Sequence, residues 1–196
     1  MVLAACRATP AEQAPLQTST SRDRCLIPDV LVPARAPTPP DSDPDPPTSG
    51  YALALSWSPE FCRFRAQDQR YASQCAPPQS FGFIVHGLWP QGEPGDHPRS
   101  CALAPPLAQT TMRAHFCMMP SVDLMQHEWA AHGTCAWDNS ESYFAQTAAL
   151  WRALRMPDLE SLPRELTGGD IRDAFVSANP ALPRDAIYLD VDRGKG

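Results

Sequence analysis

The chain has 196 residues and a mass of 21.5 kDa. On a prior of roughly 150 residues per domain, this is one domain plus a tail. Its 43% hydrophobic and 19% charged residues exclude wholesale disorder, and it lacks the run of about eighteen apolar residues that a transmembrane helix needs. With 16 Lys+Arg against 22 Asp+Glu, the net charge is −6. That excludes coating of nucleic acid through many phosphate contacts, but not an enzyme that touches one or two phosphates and releases its product. Lys195 is the only lysine, so arginine supplies nearly all the cations.

In chain order, residues 1–50 read as a tail and 51–196 as the domain. Leu3-Ala-Ala-Cys6 resembles a bacterial lipoprotein cleavage box, which makes Cys6 a candidate lipid anchor. A secretory signal needs an apolar run of about 7–15 residues before its cleavage site, and only Met1 to Ala5 precede Cys6. Either the box is chance or the true start lies upstream. Eight prolines between Pro28 and Pro47 favour extended polyproline II, which builds no core; a tether is expected, with docking to a proline-reading partner as the alternative.

Tyr51, Leu53, Leu55 and Trp57 alternate with small residues and predict a strand over 51–57. Phe81 to His86 is apolar, so a second, central strand is expected there, ending at Gly87. Ser121 is a good N-cap for a helix carrying Leu124, Met125, Trp129 and Ala130, stopped near Gly133. Ser140 or Ser142 caps another, with Phe144, Ala148, Trp151 and Leu154 on its core face. Asp170 starts a shorter helix with Ile171, Ala174 and Phe175. Residues 186–191 alternate as a strand, and the chain stops soon afterwards at Gly196, so a lost C-terminal part is expected. Mixed order without regular βαβ units predicts α+β with a largely antiparallel sheet.

The seven cysteines are Cys6, Cys25, Cys62, Cys75, Cys101, Cys117 and Cys135. None forms C-x-x-C, so zinc-ribbon and thioredoxin-type readings lack support. Setting Cys6 aside leaves six, an even number that suits disulfides in an oxidising compartment; free buried thiols in the cytoplasm are the alternative. A periplasmic or secreted protein is expected.

Five histidines are present. His127-Glu-Trp-Ala-Ala-His132 superficially suggests a zinc helix, but that motif needs histidines four apart. These are five apart and diverge by about 140° at about 100° per residue. Glu128 and His132 do share a face, so the carboxylate can orient the imidazole. His127 sits at the edge of that face. His86, expected at a strand end, could reach the same substrate atom from the rim of the sheet. Two histidines around a phosphorus are what in-line RNA cleavage needs, one as base for the 2′-OH and one as acid for the leaving 5′-oxygen. No metal is needed, because the nucleophile is internal. His97 and His115 read as structural or surface residues.

Together, His86-Gly-Leu-Trp-Pro90 and His127-Glu-Trp-x-x-His132-Gly-Thr-Cys135 resemble the two active-site motifs of the ribonuclease T2 family. Leu53 to Cys62 is similar to the first core strand of its bacterial members, and Met118-Met-Pro-Ser121 also resembles them. The resemblance implies an α+β endoribonuclease that needs no cofactor and cleaves single-stranded RNA to a 2′,3′-cyclic phosphate; a monomer is expected. It implies His132 as general base, His86 as general acid and Glu128 as their stabilising partner. It further implies His127 as a phosphate contact and Trp89 as a base-stacking platform, worth roughly 1–3 kcal/mol. Trp129 is assigned to packing. Family-like disulfides are Cys62–Cys75 and Cys101–Cys135, leaving Cys25–Cys117 as a hypothesis that docks part of the tail.

Three departures stand out. Ala131 occupies the place of a lysine in many members, Gln91 the place of a base-contacting aspartate in some, and relatives usually continue past 186–191. A catalytically impaired relative that binds RNA or a protein is therefore the alternative. Retention of His86, Glu128 and His132 argues against it. Arg63, Arg65 and Arg99 are candidates to attract the RNA.

Overall fold

The computed structural model describes residues 24–32, 34, 47–92, 97–162 and 165–190. Cys6 and most of the proline-rich stretch lie outside them. In chain order the elements are β1 (Gly50–Trp57), α1 (Ser58–Cys62), α2 (Ala72–Cys75), β2 (Phe83–Gln91), α3 (Gln109–His115), α4 (Val122–Ala131), α5 (Ser140–Ala153) and α6 (Gly168–Ala178), with short 3-10 turns between. The class is α+β, as expected.

Among the described residues the sheet has two strands, β1 and β2, paired antiparallel. The apolar run at 81–86 is therefore not a central strand, and it does not stop at His86. It begins at Phe83 and continues to Gln91. Its apolar character on both faces is satisfied by helices rather than by further strands. Ile84, Val85 and Leu88 are at most 2% exposed, and the Val85 N–H donates to the Met118 carbonyl at 2.9 Å on the edge away from β1. Residues 187–190 form no strand, because no described strand lies beside them to take up their backbone groups.

The helix ends follow capping chemistry. Ser121 accepts from the Leu124 N–H at the start of α4, as expected. Asn139, not Ser140 or Ser142, caps α5 by accepting from Ser142 N–H; its amide oxygen reaches the third position with the residue still extended. At α6 the cap is Thr167, and Asp170 is the third helical residue, closing a reciprocal capping box. One core joins β2, α3, α4 and α5 through Val85, Leu88, Met112, Phe116, Met125 and Phe144.

The three expected disulfides are present: Cys25–Cys117, Cys62–Cys75 and Cys101–Cys135. The first brings residues 24–32 onto the domain. Arg24 and Ser80 exchange backbone hydrogen bonds, Gln79 caps both backbone groups of Leu26, and Leu31 is 3% exposed within the core. Those residues belong to the folded unit rather than to a free tether. No described helix is long and apolar enough to cross a membrane.

Candidate active site

The register of the β ladder explains how His86 reaches its position. Ala54 pairs with Gly87, and the next residue, Leu55, pairs with Val85. His86 is thus the extra residue of a β-bulge. In a regular strand His86 and Trp89, three apart, point to opposite faces. A bulge breaks the alternation and re-aims a side chain, and the two rings lie edge to face with centroids 5.7 Å apart. The strand beyond the bulge is held from the core side, where the buried Tyr143 hydroxyl accepts from the Leu88 N–H at 3.1 Å.

α4 supplies the other half. Glu128 is 1% exposed and points at the bulge. One carboxylate oxygen lies 3.3 Å from His86 Nε2. The other lies 3.9 Å from His132 Nε2 and accepts from the Trp89 indole N–H at 2.7 Å. His132 sits one residue past the end of α4, its N–H still bonded to the Glu128 carbonyl, so the i,i+4 relation read from sequence holds in space. The Trp89 ring stacks on His132, with centroids 5.3 Å apart and planes at 28°. Ser56 Oγ lies 3.4 Å from His86 Nδ1. Two imidazoles thus flank one buried carboxylate, His86 half-exposed and His132 buried.

This closeness needs Gly87. A Cβ there would lie 2.0 Å from a Glu128 carboxylate oxygen and 2.7 Å from the Trp89 indole nitrogen. Ser56 and Tyr143 were not singled out from sequence, and Gly87 was expected only as the end of a strand. Only a bulged register reveals the parts of Ser56 and Gly87, and a buried tyrosine carries no periodic signal of its hydroxyl's partner.

Burial pushes His132 down to about 4; the Glu128 carboxylate opposes this, while Arg99, His127 and His86 add to it. Its Nδ1 is buried and has no hydrogen-bond partner among the described residues. The fold therefore holds the neutral ring, whereas the unfolded chain takes up a proton near pH 6.5. Stability is expected to fall as pH drops from about 6.5 to about 4 and to level off below, by about 2–3 kcal/mol from this group. Urea midpoints at both ends of that interval check it. His132→Gln should lose less over the interval than wild type, and equal losses would overturn the assignment.

His127 is exposed and His132 buried, in keeping with their divergence. His97 is exposed, and His115 stacks on Phe144 at 5.5 Å. Trp129 is 4% exposed and packs near Tyr143. Arg63 lies 3.7 Å from Glu60, and Arg65 donates to the Phe61 carbonyl beneath the Phe61 ring. Arg99 is exposed beside the end of α4. Ala131 is 4% exposed.

A sequence model of the ribonuclease T2 family matches residues 49–162. The chain belongs to the ribonuclease T2 family. Its relatives include a "Probable ribonuclease" of Haemophilus influenzae, 40% identical over 75% of this chain and 59% of that protein. A "Ribonuclease" of Aeromonas hydrophila is 43% identical over 44% of this chain and 37% of its own length. The chain thus spans about half the length of these relatives. Among solved structures, that of trichomaglin, described as an S-like ribonuclease, superposes with a TM-score of 0.53 at 22% identity. It covers 65% of this chain and 75% of that one, a likeness of fold.

Proposed function

We propose that the protein is an endoribonuclease that cleaves single-stranded RNA by metal-independent transphosphorylation. The observation that carries this reading is the pair of imidazoles on either side of the Glu128 carboxylate, at 3.3 Å and 3.9 Å. His132, held neutral by burial, takes the proton of the ribose 2′-OH. The 2′-oxygen bonds to phosphorus as the P–O5′ bond breaks, and protonated His86 gives its proton to the departing 5′-oxygen. The products are a 2′,3′-cyclic phosphate and a 5′-OH end; water entering by the reverse proton path opens the ring to a 3′-phosphate. Glu128 stays between the rings and balances the positive charge that passes from one to the other. His127, exposed, contacts phosphate. Three disulfides and the name of a tomato relative, "Extracellular ribonuclease LE", 30% identical over 70% of this chain, support an oxidising, extracytoplasmic setting.

The test is RNA cleavage by the oxidised protein in EDTA, with products read by mass. A cyclic phosphate supports the mechanism. No cleavage by folded protein would leave the RNA- or protein-binding reading.

Trp89 carries a positioning role in this reading. Its N–H bonds a buried carboxylate and its face lies on His132, so one ring face is already occupied. Base stacking would use the remaining surface. Trp89→Phe separates the two roles, keeping an aromatic face and losing the N–H. The expected result is a stability loss of about 1.5–3 kcal/mol, the value of a hydrogen bond to a charged group, with a lower kcat and little change in KM. A raised KM with kcat intact would show stacking to be the main role.

A further inference from the structure

We propose that Arg99 is a phosphate-binding residue of this site, its guanidinium taking the non-bridging oxygens of the scissile phosphodiester; this rests on the endoribonuclease reading above. The charge already in the site calls for such a group. Glu128 is a carboxylate 1% exposed at its centre, and the substrate is an anion that gains further negative charge as the 2′-oxygen adds.

Arg99 is an exposed cation whose chain neighbours are tied to the end of α4, beside His132. Pro98 before it is buried. Ser100 after it donates its N–H to the Ala131 carbonyl at 2.8 Å, and Cys101 is bonded to Cys135. Those two ties reach the residue before His132 and the residue three after it. Ser100 adopts φ 53°, a left-handed conformation uncommon for a non-glycine residue.

The side chain is also uncommitted. Arg70 is paired with Asp68, Arg113 with the Pro28 and Asp29 carbonyls, and Arg65 with the Phe61 carbonyl. Arg99 has no hydrogen bond or ion pair with any described residue, while its charge acts on His132. A planar fork of donors matches two phosphate oxygens at once, which an ammonium does not. The same charge adds to the effect of burial in disfavouring the protonated His132 ring, so one side chain would hold substrate and shift the acidic limit of the base.

The experiment compares Arg99→Gln and Arg99→Lys with Arg155→Gln, an exposed arginine of equal charge elsewhere. Steady-state cleavage of a short single-stranded RNA is measured across pH, and NMR follows the His132 ring as inorganic phosphate is added. Arg99→Gln should lower kcat by about a hundredfold, move the acidic limb to higher pH and weaken phosphate binding. Arg99→Lys should recover the pH limb and part of the rate, and Arg155→Gln should change none of these. Arg99→Gln with wild-type rate, limb and phosphate affinity would overturn the proposal. A wild type that binds phosphate through Arg99 but cleaves no RNA would refute the endoribonuclease reading alone. Far-UV dichroism guards against misfolding; if Arg99→Gln is unfolded, the comparison passes to Arg99→Lys, whose phosphate affinity and rate must both fall, and equality with wild type overturns the proposal.

Discussion

Replacing His86 or His132 with alanine is expected to lower RNA cleavage by about 10²–10⁴-fold each, the range general acid and base catalysis supplies. The two variants differ in what else they disturb. His86 is 41% exposed in its side chain, so His86→Ala removes the proposed acid while the core stays filled. His132 is 9% exposed there and stacks on Trp89, so its removal also opens a cavity beside Glu128. The double variant should be little worse than the poorer single one, because in the proposed mechanism the two rings act on one transition state. The decisive measurement is kcat on single-stranded RNA in EDTA, with the urea midpoint alongside. His86→Ala within tenfold of wild type, at unchanged stability, would remove His86 from the mechanism.

Gly87→Ala is expected to cost as much activity as many direct substitutions, although Gly87 takes part in no chemistry. The new methyl would sit 2.0 Å from the Glu128 carboxylate oxygen. That oxygen cannot simply swing away, since it accepts from Trp89 and faces His132 in a buried pocket. Either the carboxylate leaves the gap between the histidines or β2 shifts relative to α4. Overpacking of this kind costs about 1–3 kcal/mol, and misplacement by about 1 Å costs on the order of a hundredfold in rate. Gly50→Ala is the control: a Cβ there meets nothing within 4 Å, and it should be silent in both assays. Gly87→Ala with wild-type kcat would show that the carboxylate's position is not critical.

Much of the site was legible because its parts are local. Glu128 and His132 are one helical turn apart, so a periodicity of 3.6 places them together whatever the rest of the chain does. The same holds for the cap at Ser121, which needs only a hydroxyl and the backbone three residues on. Asn139 was missed as the cap of α5 because Ser140 and Ser142 are equally good candidates by composition; in the structure Asn139 is still extended and its side chain accepts from the Ser142 N–H. The apolar run at 81–86 read as a central strand because burial on both faces looks the same whether neighbouring strands or helices provide it. Residues 186–191 alternate like a strand, but alternation is only a capacity for pairing, and no described strand lies alongside.

By itself the sequence determined the class of fold, the two segments that form the candidate site and the even set of six cysteines that pair. These are properties of composition, short-range periodicity and motif. Tertiary structure alone decided that His86 is the extra residue of a bulge, that Trp89 donates to Glu128 rather than standing free, and that Ser100 fastens Arg99 beside His132. Each depends on which residue of one strand faces which of another, or on a bond between segments about thirty or more positions apart. A one-residue change in register inverts the direction of a side chain, and no local pattern encodes that register.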